Sequence, residues 1–276
     1  MIGRSSVVAS VPGETARRAK AIFGRRNLYM LVGENWEALL EDIHMKSIPE
    51  PGCESLFFPL ITYFQFIEGL TDIQAADAAR TRIDWKYALH LPVNSPAFRE
   101  SALCQFRRKV VNDPACQQEF QALLERLLSI TYSVYSRPRV LDVPVLLSAI
   151  CSVNRLNWAL QAMQESLEIL AGMHPEWLRR TALPHWYGRY NQGAPGLDPE
   201  ASPWRSENSL RDIGADIQYL LGEIQRSGSP QMGALHEIRK LDQTWRRMFE
   251  AGASASIVQP AALDRLGCSF CPEYPS

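Results

Sequence analysis

The chain has 276 residues, of which 46% are hydrophobic and 21% are charged, in proportions typical of a folded globular protein. Its formal net charge is −1, so any attraction to nucleic acid must come from a local patch and not from the whole molecule. No uninterrupted apolar stretch reaches the roughly 18 residues of a membrane-spanning helix, and the N-terminus lacks the pattern of a secretion signal. These features predict a protein with no membrane association.

The six cysteines are scattered along the chain, which favours a reducing cytoplasm over a disulfide-stabilised scaffold. Cys268 and Cys271 alone have a metal-like spacing, but a zinc site needs four ligands and no second pair lies nearby. The five histidines are not at ligand spacing either. We therefore predict a cytoplasmic protein without a bound metal or cofactor, and leave the role of this cysteine pair open.

Charge is distributed unevenly at the N-terminus. The segment Met1–Met30 contains six basic residues and one acid, Glu14. The balance becomes acidic between Glu34 and Glu54, and the pattern from Trp36 to Ile43 predicts a helix. Residues 1–54 are therefore interpreted as a basic arm followed by helical structure.

Residues 55–136 are predicted to form a helical, helix-turn-helix-like domain. The segment Leu56–Ile67 is apolar enough to be a buried helix. Thr71 and Gln74 have the spacing of a capping box, in which each side chain bonds the other residue's backbone amide, so a helix is expected from Asp72. The spacing of Ile73 and the alanines that follow places this group on the inner face of that helix.

A second short helix is predicted from Ile83 to Leu89, with Trp85 in the core because a tryptophan within an apolar block usually packs inside. Pro92 and Pro96 end this helix, since proline lacks the amide hydrogen and restricts the residue before it. The domain therefore needs a third helix beyond these prolines.

That third helix is predicted from Ser101 to Val111, with Leu103, Phe106 and Val110 facing inward. Gln105 and the three consecutive cations after Phe106 are expected to face outward, toward phosphates. Runs of charge are often only solvated surface, but further cations in the same domain favour DNA contact. The predicted DNA-binding residues are Arg80, Arg82, Lys86, Arg107, Arg108 and Lys109.

Residues 137–276 are predicted to be a mainly helical segment. The segment Arg139–Asp142 resembles the start of a strand, and Asn157–Gly172 returns to helical periodicity. A loop rich in proline and glycine follows at Asn191–Pro203. The last two predicted elements are the amphipathic helices Ser209–Ile224 and Gln231–Phe249. Periodicity is lost from about Ala251, and the C-terminal tail beyond it is expected to be disordered. The predicted fold class is mainly α, with at most one remnant strand.

Several of these segments resemble a known family. The stretches Phe66–Asp72, Arg82–Leu89 and Phe106–Arg107 are similar to the helical, InsH-type N-terminal region of bacterial insertion-sequence transposases of the DDE class. Asp84-Trp85-Lys86-Tyr87 is the most specific part of the match. The other segments that match are Val11–Arg17, Phe23–Tyr29, Asn154–Leu156, Pro175–Arg179 and Trp186–Tyr190.

The resemblance implies DNA binding at the ends of an insertion sequence, and catalysis by three carboxylates holding two Mg²⁺ ions on a ribonuclease-H-like sheet. In this alignment Asp142 occupies the first catalytic position. The polar residues that follow it in the family are replaced by Val143, Pro144 and Val145, and no other acid stands in a matching motif. We therefore expect a truncated, catalytically incompetent relative, in which Asp142 is vestigial and Mg²⁺ belongs only to a complete relative.

The sequence leaves four readings open, of which one is a decayed reading frame that makes no stable product and the other three are functional. The first is a DNA-binding protein that recognises terminal repeats and is nucleoid-associated when bound. The second is a fragment that associates with itself or with full-length transposase, through the apolar stripes of Phe120–Leu128 and Leu235–Phe249. The third is one half of an enzyme completed by a downstream reading frame.

Overall fold

The computed structural model describes residues 11–23, 27–41, 43, 58–96, 98–131, 141–190, 203–251 and 258–260, without the side chains of 203–208, 250–251 and 258–260. In these residues the chain is mainly helical, as predicted. They divide into two compact units, with the boundary between Ser148 and Ala149. The Cys268–Cys271 pair, almost all of the predicted loop at 191–203 and part of the basic arm lie outside the described residues.

The first unit combines helices from the predicted ranges 1–54 and 55–136, because α2 packs on both α6 and α8. α4 is buried on nearly every side, which explains why its sequence is apolar all round and not amphipathic. The elements are α1 (Gly13–Ile22), α2 (Leu28–Glu34), α3 (Trp36–Leu40), α4 (Phe58–Glu68), α5 (Asp72–Thr81), α6 (Ile83–Ala88), α7 (Ser101–Asn112), α8 (Pro114–Thr131) and the start of α9 (Val143–Met173).

Aromatic rings connect these helices in the core of the first unit. Phe64 of α4 packs edge-on against Tyr29 with ring centroids 4.9 Å apart, and lies 5.3 Å from Trp85. Phe106 of α7 lies 5.6 Å from Phe120 of α8. Trp85 is fully buried, as predicted, and so are most members of the apolar stripe of α8.

The predicted capping box at the start of α5 is confirmed. Thr71 Oγ1 accepts from the Gln74 amide at 3.2 Å, and Gln74 Oε1 accepts from the Thr71 amide at 2.9 Å. The inward placement of Ile73 is wrong, because its side chain is 49% exposed. The cap sets the rotation of α5 so that Asp72 and the alanines face inward instead.

A close approach joins α2 to α6. A Cβ atom at Gly33 would lie 2.6 Å from the ring of Tyr87, so no larger residue fits between the two helices. His90, two residues beyond the end of α6, has a φ of 54°, in the left-handed region. The His90 ring stacks on Trp36 with centroids 4.4 Å apart, and its Nε2 lies 3.0 Å from the Gly33 carbonyl oxygen.

The strand start predicted at Arg139–Asp142 is wrong for the two of its residues that the structure describes; Arg139 and Val140 lie outside the described residues. Leu141 and Asp142 are not in a strand, and α9 begins at Val143. Pro144 is therefore in the first turn of a helix, where its missing amide hydrogen has no cost. The side chain of Gln121 fixes this start, because its amide donates to the Leu141 carbonyl at 3.3 Å and accepts from the Val143 amide at 3.0 Å.

The second unit is built on the rest of α9. Leu160, Met163 and Leu170 are buried, as predicted, and pack with Ile217 and Leu241 in one core cluster. The remaining elements are α10 (Pro175–Thr181), α11 (Pro184–Tyr190), α12 (Pro203–Ser227), α13 (Pro230–Gly233), α14 (His236–Met248), β1 (Phe249–Ala251) and β2 (Val258–Pro260). The two short strands pair in antiparallel register.

α9 is the one helix in the described part of the chain that is long and apolar enough to cross a membrane by length and composition. Polar residues such as Asn154 and Arg155 interrupt it, so it contains no unbroken apolar stretch of that length. More than half of its most apolar stretch is buried inside the protein, as in the core helix of a soluble protein. This helix is therefore weak evidence for a membrane segment.

The described cysteines differ in whether they form a disulfide bond. Cys104 is buried on α7 and is disulfide-bonded; Cys116 is a free buried thiol, and Cys151 is also buried. The scattered spacing of the cysteines did not indicate this bond.

Candidate nucleic-acid interface

The inner face of α7 contains one residue that the sequence placed outside. Leu103, Phe106 and Val110 are buried, as predicted, but Arg107 is buried with them and is only 3% exposed. Together these positions have the i, i+3, i+4, i+7 spacing of one helix face. The predicted outward orientation of Arg107 is therefore wrong.

Arg107 forms a buried ion pair with the first residue of α5. Its NH1 and NH2 atoms donate to the two carboxylate oxygens of Asp72 at 2.8 and 2.6 Å, and Gln65 Nε2 donates to the same carboxylate at 2.7 Å. A bidentate pair constrains direction as well as distance. This pair therefore fixes the rotation of α7 about its own axis.

That rotation leaves a polar outer face on α7. Gln105, Arg108 and Asn112 are exposed at i, i+3 and i+7, and Lys109 beside them is partly exposed. α7 contains no acidic residue. Arginine, glutamine and asparagine are the side chains that form paired hydrogen bonds with guanine and adenine edges in the major groove. We call these four residues the outer face of α7.

Arg82 is engaged inside the first unit. Its guanidinium donates to Glu68 and, at 3.1 and 2.7 Å, to Asp84, and it lies 5.3 Å and 5.5 Å from the ring centroids of Tyr29 and Trp85. Burial lowers the pKa of Arg82, but the hydrogen bonds and charges of the two carboxylates raise it further, so the net shift is upward. Arg82 is therefore half-buried and holds α4 and α6 together.

The two remaining predicted DNA-binding residues, Lys86 and Arg80, differ in their exposure. Lys86 is 4% exposed, and its Nζ donates to the Val93 carbonyl. Burial, with a smaller contribution from the charge of Arg80, lowers the pKa of Lys86. Arg80 itself is exposed and pairs with Asp77 at 2.5 Å. The structure thus leaves Arg80, Arg108 and Lys109 at the surface, while Lys86 and Arg107 are buried.

Further cations on α1 are exposed and lie in the region predicted as a basic arm. Arg17, Arg18 and Lys20 are all at the surface, and Arg18 pairs with Glu14 at 2.5 Å. They add positive charge to the first unit.

Asp142, the residue aligned with the first catalytic position, is exposed immediately before α9. In the described part of the chain no group of three or more His, Cys, Asp or Glu residues is placed to hold a metal ion. The strand on which a DDE centre would place this acid is replaced here by the helix start at Val143.

The second unit has its own polar cluster around Asp216, which sequence reasoning missed. Arg189 and, at 2.7 Å, the Tyr190 hydroxyl donate to one carboxylate oxygen, and His185 Nε2 lies 3.0 Å from the other. Burial raises the pKa of Asp216, but the hydrogen bonds from Tyr190 and His185 and the charge of Arg189 lower it more, and the net shift is downward. Burial and the same carboxylate raise the pKa of Tyr190.

Comparison with models of known protein families, with curated proteins and with solved structures finds no match. The interpretation of these sites therefore depends on their geometry and on the resemblance of the motifs.

Proposed function

We propose that this chain is a DNA-binding protein related to insertion-sequence transposases, which binds duplex DNA through the outer face of α7 and does not cut or join DNA alone. The observation that carries the proposal is the composition of that face, with exposed Gln105, Arg108 and Asn112 on a helix without acidic residues. A helix of 12 residues is about 18 Å long, which suits the major groove.

The buried side of α7 supports this proposal. Because Arg107 is held by Asp72, its neighbour Arg108 is presented at a defined angle to the surface. In the proposed complex Arg108 bonds a guanine edge, and Gln105 and Asn112 bond adenine edges. The exposed cations of α1, with Arg80 and Lys109, contact phosphates and supply affinity that does not depend on sequence.

The alternative of association through apolar stripes has less support. Phe120, Leu123, Leu124 and Leu127 are fully buried in the first unit. Ile238 and Leu241 are buried in the second. These side chains already pack in the cores of their own units.

DNA binding is tested by fluorescence anisotropy with the whole chain. The probes are labelled short duplexes taken from the genomic DNA on each side of the gene, and duplexes of the same composition in scrambled order. The variant carries Gln105→Ala, Arg108→Ala and Asn112→Ala. We expect tighter binding to a flanking duplex than to a scrambled one, and loss of that preference in the variant, because each paired base contact contributes about 1–3 kcal/mol of discrimination.

A control variant removes similar side chains from exposed positions in the second unit, with Arg211→Ala, Gln225→Ala and Gln231→Ala. It should keep the preference for the flanking duplex. Equal binding of flanking and scrambled duplexes by the parent protein, or an unchanged preference in the α7 variant, would contradict the proposed recognition.

A further inference from the structure

α14 in the second unit has a basic outer face. Its inner residues Ile238, Leu241 and Met248 are buried in the core cluster of that unit. The opposite side is exposed and contains no apolar residue. We call this side the outer face of α14; it consists of His236, Arg239, Lys240, Gln243, Arg246 and Arg247.

The four cations of this face differ in their partners. Lys240 pairs with Glu165 at 2.6 Å, and Arg246 pairs with Asp242 at 2.8 Å. Arg239 and Arg247 form no ion pair with the residues that the structure describes. Since the whole chain is close to neutral, this concentration of charge is a local property of one helix face.

The spacing of the cations suits a nucleic-acid backbone. Arg239 and Lys240 precede Arg246 and Arg247 by seven residues, which is about two helical turns, or about 10 Å along the axis. The B-DNA major groove is about 12 Å wide. Two pairs of long cationic side chains at this separation can reach phosphates on both sides of a groove.

We propose that the outer face of α14 binds the phosphate backbone of duplex DNA, as a second contact that is independent of α7. Arginine and lysine side chains surround Gln243 on this face, and they can donate hydrogen bonds to phosphate oxygens. A membrane surface is a poorer match, because a membrane-bound helix inserts apolar side chains and those of α14 are buried. Contacts to phosphate carry no sequence information, so the proposed binding does not depend on base sequence.

The test removes the two cations without ion pairs, with Arg239→Gln and Arg247→Gln in the whole chain. Binding to a scrambled-sequence duplex is measured by anisotropy over a range of salt concentrations. Each phosphate contact adds about 0.9 to the slope of log affinity against log salt, so we expect the slope to decrease by about 2 and the affinity to fall at every salt concentration. Both side chains are exposed, and the thermal unfolding midpoint should remain that of the parent protein.

The matched control is Arg179→Gln with Arg180→Gln on α10, which removes the same charge from exposed positions of the same unit. It should leave the slope unchanged. An equal decrease in both variants would show a general charge effect and overturn the proposal, as would an unchanged slope in the α14 variant. A variant that loses affinity for polyglutamate but not for DNA would also overturn it, in favour of an acidic protein partner.

The α7 and α14 proposals can fail separately. The triple variant of α7 tests preference between sequences, and the double variant of α14 tests the salt slope on a scrambled duplex. If the α7 variant loses its sequence preference while the α14 variant keeps the salt slope of the parent protein, α7 remains the proposed DNA contact and the α14 proposal is overturned.

Discussion

Each unit contains a buried aspartate bound by groups from a neighbouring helix, but the two networks differ in access to solvent. In the first unit Asp72 and its partner Arg107 have side chains only 8% and 3% exposed. In the second, Asp216 is 6% exposed, while its partners Arg189 and His185 are 30% and 50% exposed. The Asp72 network is closed to solvent, and the Asp216 network is open to solvent on one side.

The difference shows that the same pairing chemistry has two structural consequences. A closed pair is costly to break, because removing one partner leaves a charge with neither water nor a counter-ion. An open cluster loses less when one member is removed, since water can replace it. We therefore expect the closed network to determine the stability of its unit, and the open one to respond to solution conditions.

The largest effect is expected for Arg107→Ala. It leaves the carboxylate of Asp72 buried without its cation, and we expect a loss of about 3–5 kcal/mol in the free energy of unfolding of the first unit. Hydrogen exchange of peptides from each unit, measured in increasing urea, assigns the change to one unit. The neighbouring Arg108→Ala should cost less than about 0.5 kcal/mol, as for other exposed positions; similar losses in both variants would contradict the closed network.

A smaller effect, with a characteristic pH dependence, is expected for Asp216→Asn. Removing the charge weakens the bonds from Arg189 and Tyr190, at a cost of about 1–3 kcal/mol near neutral pH. Because the pKa of Asp216 is below its ordinary value of 3.8 in the folded protein, its stabilisation is complete above that value and is lost as the pH falls through the lowered pKa. The difference between parent and variant in urea unfolding should therefore decrease below about pH 4.

The parent protein, in which Asp216 is unchanged, is the control for that experiment. The parent protein should lose stability more steeply than the variant in this acid range. A constant difference down to the lowest pH at which both fold would show that the charge of Asp216 does not stabilise the cluster.

The smallest effect is expected for His185→Ala. Its ring is half exposed, so water can replace it at the Asp216 carboxylate, and we expect a loss of at most about 1 kcal/mol. Urea unfolding of the second unit measures it. A loss as large as that of Arg107→Ala would mean that water cannot replace a missing partner in the Asp216 cluster.

Local patterns predicted much of the fold. The capping box of α5, the helix Ser101–Val111, the breaks at Pro92 and Pro96 and the core position of Trp85 all depend on residues within one or two helical turns of each other. Such contacts are determined by backbone geometry, which a single sequence expresses directly.

The orientation of charged residues was not predicted, because it depends on partners far along the chain. Arg107 is 35 residues from Asp72, and Arg82 is 14 from Glu68. The position of Arg107 next to Phe106, on the face that also contains Leu103, was nevertheless a usable indication. A run of three adjacent cations conceals which face of the helix each of them occupies.

Asp142 shows a different cause of error. The family alignment suggested a strand, although an acid followed by a proline two positions later and a long apolar helical pattern is typical of a helix start. Gln121, which holds that start, could not be inferred from local sequence.

The contact at Gly33 has a consequence for how the first unit opens. Since the ring of Tyr87 lies directly against the backbone of Gly33, separating α2 and α6 by a small amount would remove packing and leave too little room for water to enter. Partial fraying at this place is therefore unfavourable, and the two helices separate only when the whole unit unfolds. The contact between Gly33 and Tyr87 thus belongs to the slowest-opening part of the unit, and hydrogen exchange at its amides should require unfolding of the unit.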